Sequence, residues 1–193
     1  MKYLWCAIAL LLLIPATAHA HLVSTGFGTY YDGIAHLLVT PRDVLTVLAA
    51  GLLAGLRGPA VARWLLIAFP IAWLCGGLIG TWWPMWGELT ILTTTCFLTL
   101  GVLIALDWNL PLPLVVSLVS IAGLFHGYSN GATMTTHADW LPLLGATSAV
   151  FVFATLLPAI VVSLQAAWMR IAVRVVGSWI TAIGMLVIGW ESR

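Results

Sequence analysis

LPLLGATSAVFVFATLLPAIVVSLQA, residues 141–166, carries no Asp, Glu, Lys or Arg over 26 positions. A helix that crosses the hydrocarbon core of a bilayer needs ~20 predominantly apolar residues, so this stretch reads as a membrane span. Working outward from it, similar stretches occupy 44–56, 61–80, 88–106, 110–128 and 171–190. The whole chain agrees: 62% of its 193 residues are hydrophobic and 7% are charged, with a mean hydropathy of +1.10. The predicted fold class is all-α, a polytopic membrane helical bundle with about six transmembrane helices. Spans on this scale leave only short loops, which excludes a sizeable soluble catalytic domain. A net charge of +1 without any basic run excludes a nucleic-acid partner.

Residues 1–20, MKYLWCAIALLLLIPATAHA, combine Lys2, an apolar core, a break at Pro15 and Ala18-His19-Ala20. This is the pattern of a Sec-type signal peptide cleaved before His21, leaving 21–193 as a single six-span domain. Cys6 precedes most of the apolar core, whereas a lipoprotein cysteine would follow it. Residues 21–40 are interrupted by Gly26, Gly28 and Gly33 and are expected to pack on the outer face of the bundle. Thr40 is placed to cap the next helix, Pro41 suits its first turn, and Asp43 sits where a capping-box carboxylate belongs. The span at 44–56 is short. Either 34–38 re-enters the membrane as a broken half-helix, or the helix starts below the outer interface, and irregular backbone at that depth must be buried or line a cavity.

Cytoplasmic loops carry the Lys/Arg excess. With the mature N-terminus outside, Arg57, Arg63, Arg170 and Arg174 fall inside, while Arg42 and Arg193 fall outside. The middle inside loop, Asp107-Trp108-Asn109, adds no basic residue. Trp82, Trp83, Trp86, Trp140 and Trp190 then mark the outer interface and Trp64, Trp108 and Trp168 the inner one. Cys75 and Cys96 lie within spans and read as small packing residues, although their consecutive helices allow a bridge.

Polar groups are unevenly placed. His21, Asp32, His36, Asp43, His126, Asn130, His137 and Asp139 all map to the outer end. Imidazole with carboxylate suits first-row transition metals such as nickel, cobalt, zinc or copper rather than calcium or magnesium. His126 and Asn130 are one helical turn apart and share a face if the helix continues through Gly127, with Met134 a further turn along. His126 reads either as a ligand or as a group that ties helices together. Asp43 reads either as a cap or as a ligand, converging with His36 only if the chain bends at Pro41. Cleavage would give His21 both an amine and an imidazole, a chelating pair for copper or nickel.

Residues 35–56, AHLLVTPRDVLTVLAAGLLAGL, and 125–134, FHGYSNGATM, together with the leader ending before a histidine, resemble the HupE/UreJ membrane proteins. That family occurs with hydrogenase and urease systems and is regarded as nickel or cobalt permeases. The resemblance implies a multi-pass protein of the bacterial inner membrane with a periplasmic mature N-terminus. It implies a transported ion, nickel or cobalt before copper or zinc, and no tightly bound cofactor. His36 and Asp43 match the first-span pattern, and His126, Gly127, Tyr128 and Gly131 match the fourth. Val44, Asn130 and Thr133 stand where the family pattern has histidine, histidine and glutamate.

The implied metal residues are His36, Asp43, His126, Asn130 and His21, with Thr93, Thr94, Thr95, Ser117 and Ser120 as oxygens deeper in the bundle. The alternative reading is a non-transporting accessory subunit for metalloprotein maturation, with maturation proteins or a second copy of the chain as partners. An enzyme using His36, Asp43 and His126 lacks any accompanying nucleophile motif or phosphate loop.

Overall fold

The computed structural model describes residues 24–85, 89–134, 139–164 and 166–192. The leader, His21, Trp86, Glu88 and His137 lie outside the described residues. Within them run seven helices: α1 (Thr29–Val39), α2 (Pro41–Leu56), α3 (Pro59–Trp82), α4 (Thr90–Leu106), α5 (Leu112–Met134), α6 (Leu141–Ser163) and α7 (Ala167–Glu191). Helices α3, α5, α6 and α7 are each long and apolar enough to cross a membrane, and α1 with α2 form a fifth candidate bent by 77°. Helix α4 is a shorter apolar helix of 17 residues, about 25 Å long at 1.5 Å per residue. The protein is an all-α polytopic membrane bundle.

The bend between α1 and α2 follows from Pro41. Proline disfavours helical backbone in the residue before it, and Thr40 accordingly takes φ −92°, ψ 102°. The Thr40 hydroxyl donates to the His36 carbonyl at 2.7 Å, and its backbone N–H does so at 3.0 Å. This satisfies a carbonyl that the end of α1 leaves without a helical partner. It also corrects the capping expectation: a hydroxyl turned back onto α1 cannot reach the first amides of α2, which has no side-chain cap.

Helix α2 contacts every other helix. Eleven of its 16 residues are buried, as befits a helix apolar on all sides. Around it the bundle closes through small residues, because lipid supplies no hydrophobic drive between helices and close packing must serve instead. One such close seam joins α3 to α5. A Cβ on Gly127 would stand 2.0 Å from the Trp73 carbonyl oxygen, and one on Gly131 would stand 1.9 Å from that of Gly77. Nothing larger than glycine fits, so the rotation of α5 against α3 is set by backbone contact. Helix α5 runs unbroken through FHGYSNGATM to Met134, beyond the expected end at 128.

At the far end of α2, Arg57 bonds Asp107, which follows α4 in left-handed backbone with φ 51°. Arg170 of α7 grips the same carboxylate with Nε to Oδ2 at 2.9 Å and Nη2 to Oδ1 at 3.0 Å. Burial raises the Asp107 carboxyl, but Arg170 and Arg57 together outweigh it and hold the group below the usual carboxylate range. One acid thus gathers two of the arginines expected on one side of the membrane. Trp64, Trp108 and Trp168 at this end and Trp82, Trp83, Trp140 and Trp190 at the other are each more than half exposed, as interfacial belts require. Cys75 and Cys96 are free thiols.

Candidate functional site

The first turn of α2 places Asp43 inside the bundle, where it is 3% exposed. A carboxylate so buried needs partners, and α5 supplies both. Asp43 Oδ1 lies 2.7 Å from Nδ1 of His126, and Oδ2 accepts from Nδ2 of Asn130 at 2.8 Å. The expected capping role for Asp43 is therefore replaced by a bridge between two helices, because both of its oxygens are engaged on α5. The same Asn130 Nδ2 donates to the His126 carbonyl at 2.8 Å, so the two residues do share a face, as their spacing predicts.

His126 is fully buried. Its Nε2 lies 2.8 Å from the Thr46 hydroxyl and 3.2 Å from the Thr93 carbonyl of α4. Thr46 directs its own proton to the Arg42 carbonyl at 2.9 Å. Both ring nitrogens thus have polar partners inside the bundle. The ring face stacks on Trp73 of α3, with centroids 5.7 Å apart and planes 27° from parallel. Four helices, α2, α3, α4 and α5, thus hold one imidazole.

Beside this cluster lies a cavity of about 100 Å³ whose wall includes His36, Arg42, Asp43, His126, Asn130 and Met134. The bend at Thr40 is what brings His36 of α1 to the same space as Asp43. Arg42 is tied to α4 through Nη1 to Thr90 Oγ1 at 2.7 Å. Asn130 Oδ1 is buried with no hydrogen-bond partner among the described residues. Among the described residues no group of three or more His, Cys, Asp or Glu is arranged to hold a metal. What the cavity offers instead is a mixed set: imidazole, carboxylate, amide oxygen and the Met134 thioether.

Of the residues singled out in the sequence, Asp43, His126 and Asn130 meet directly and His36 shares their cavity. Thr133 also lines it, with its hydroxyl on the Ser129 carbonyl at 2.8 Å. Val44 faces a different, apolar cleft beside Leu37 and Leu38. Asp139 accepts from the Leu141 amide at the start of α6, 3.0 Å away. Of the deeper hydroxyls, Thr94 Oγ1 is buried with no partner among the described residues, Thr95 bonds the Ile91 carbonyl, and Ser117 is exposed.

Sequence reading passed over Thr46 and Trp73. Thr46 lies one turn from Asp43 on the same helix face, and Trp73 is a tryptophan in the middle of a span, far from either aromatic belt. Both signals were present.

The family model described as HupE / UreJ protein matches residues 8–187 of the chain. Protein HupE of Rhizobium leguminosarum bv. viciae is 31% identical over 132 residues, which is 66% of this chain and 66% of that relative's length. No solved structure matches the chain.

Proposed function

The chain belongs to the HupE/UreJ family, a transporter family associated with nickel and cobalt uptake, and we propose that it is a permease carrying a divalent transition-metal ion, nickel or cobalt, across the bacterial inner membrane. The observation that supports this most is the buried His126–Asp43–Asn130 cluster beside a cavity that His36 also lines. Intramembrane ionisable groups are expensive and are candidates for an ion pathway by default.

The chemistry runs as follows. An arriving ion must exchange hydration water for protein donors, and imidazole nitrogen with carboxylate and amide oxygen suits borderline divalent ions. Asn130 Oδ1 is open to it, since that oxygen has no partner among the described residues. His126 and Asp43 become ligands only when the ion replaces the hydrogen bond between them and the proton of that bond is released to water. Asp43 and His126 thus satisfy one another when no cargo is bound, and that bond opens in exchange for it. Arg57, Arg170 and Arg174 lie together at the opposite end, which under the positive-inside rule supports a periplasmic cavity.

Uptake into proteoliposomes across nickel, cobalt, zinc and copper tests this, comparing native protein with His126→Ala and His36→Ala at matched folded yield. Saturable uptake of nickel or cobalt that both substitutions abolish is the predicted result. Binding without flux would instead make the chain an accessory subunit that delivers metal to maturation partners, and neither binding nor flux would refute a metal role.

A further inference from the structure

We propose that Trp73 is a positioning residue for His126: its indole face fixes the plane of the imidazole, so that the ring stays aimed at the cavity when cargo displaces its hydrogen bonds. The inference rests on the permease reading for its transport consequence, but not for its geometric content.

Trp73 is completely buried, and its Nε1–H has no hydrogen-bond partner among the described residues. A buried N–H without a partner is unfavourable, and a phenylalanine or aliphatic residue would fill most of the space without one. Packing alone therefore does not account for an indole here. What indole adds is the largest and most electron-rich π face of any side chain, and that face lies on His126. Such a face attracts a ring on which a bound metal ion places positive charge.

The stack is held from behind by the α3–α5 seam. Gly127, next in sequence to His126, packs on the Trp73 carbonyl so closely that no side chain fits, and Gly123 meets Phe69 one turn earlier. Phe69 in turn contacts the Trp73 ring edge-on, with centroids 5.9 Å apart. The backbone positions from which indole and imidazole project are thereby fixed relative to one another. The edges of the imidazole are held differently, by Asp43 and by Thr46 with Thr93. Those are the bonds that an incoming ion must disturb. The stack is the contact that survives the exchange, and it keeps the freed ring from turning away.

The test contrasts Trp73→Phe with Trp73→Met, which are close in volume and differ in having a π face. Histidine-labelled full-length protein in detergent reports ring geometry directly by NMR, with His126 assigned by difference against His126→Gln. In the native protein the carbon-bound His126 ring protons are shifted upfield by the indole. Trp73→Phe retains part of that shift and Trp73→Met loses it. In proteoliposomes Trp73→Met raises KM for cobalt about tenfold with Vmax within a factor of two, and Trp73→Phe stays within about threefold of native. Equal ring shifts in the native and Met proteins, or equal KM changes in Phe and Met variants of matched thermal stability, overturn the proposal. If the native protein moves no metal the permease reading fails, and the ring shifts still decide the role of Trp73.

Discussion

The two ends of α2 each carry an acid cluster, and the two are built on opposite principles. At its start Asp43 is 3% exposed and meets an imidazole and an amide, groups that are also metal ligands or neighbours of an open ligand oxygen. At its end Arg57 meets Asp107, which is further gripped by an Arg170 whose side chain is 52% exposed. Guanidinium cannot bind a metal and keeps its charge at any working pH. The first cluster can trade partners; the second can only hold or let go. About 21 Å of helix separates Asp43 from Arg57, so an exchange site and a clasp sit on one rod.

Substitution breaks this comparison in graded steps. His126→Ala has the largest effect: it strands the buried Asp43 carboxylate, costs about 3–5 kcal/mol, and abolishes uptake, as thermal unfolding and flux on the same preparation would record. Asp107→Asn comes next. It leaves the two guanidiniums without their counter-charge, Arg57 being only 4% exposed, and is expected to cost about 2 kcal/mol while leaving cargo affinity unchanged in equilibrium binding. Thr46→Val, which removes the hydroxyl at Nε2 but preserves shape, should cost about 1 kcal/mol and weaken cobalt binding several-fold. Arg170→Ala is the mildest, at about 0–1 kcal/mol for a half-exposed partner, seen as a small fall in Tm.

Acid sharpens the contrast further. The Asp107 carboxyl is held below its ordinary value of 3.8 in the folded protein. Its contribution to stability is therefore fully present above that value and is lost as pH falls through the lower, folded value. The Tm difference between native protein and Asp107→Asn should accordingly shrink across that acid window and stay constant above it.

The broad architecture was legible because it depends on local properties. Uncharged runs mark spans, Pro41 marks the break between α1 and α2, and four-residue spacing puts His126 and Asn130 on one face. Pairings between helices were not legible. Its neighbours left Asp43 as either a cap or a ligand, and its partner lies 83 positions away. The loop at Asp107 seemed to contribute nothing to the charge pattern because it holds no basic residue. Its carboxylate is nevertheless where Arg57 and Arg170 meet. Trp73 was hidden by the habit of assigning membrane tryptophans to interfaces, although its mid-span position beside a glycine seam sets it apart.

The central claim is that cargo is handled at the Asp43 end and not at the Asp107 end. Titrating purified protein with cobalt(II), and comparing Asp43→Asn with Asp107→Asn, tests it most directly. The account predicts that Kd rises by a factor of about 10–100 in Asp43→Asn and stays within about twofold of native in Asp107→Asn. Equal losses in the two variants, or undiminished binding in Asp43→Asn, would contradict it.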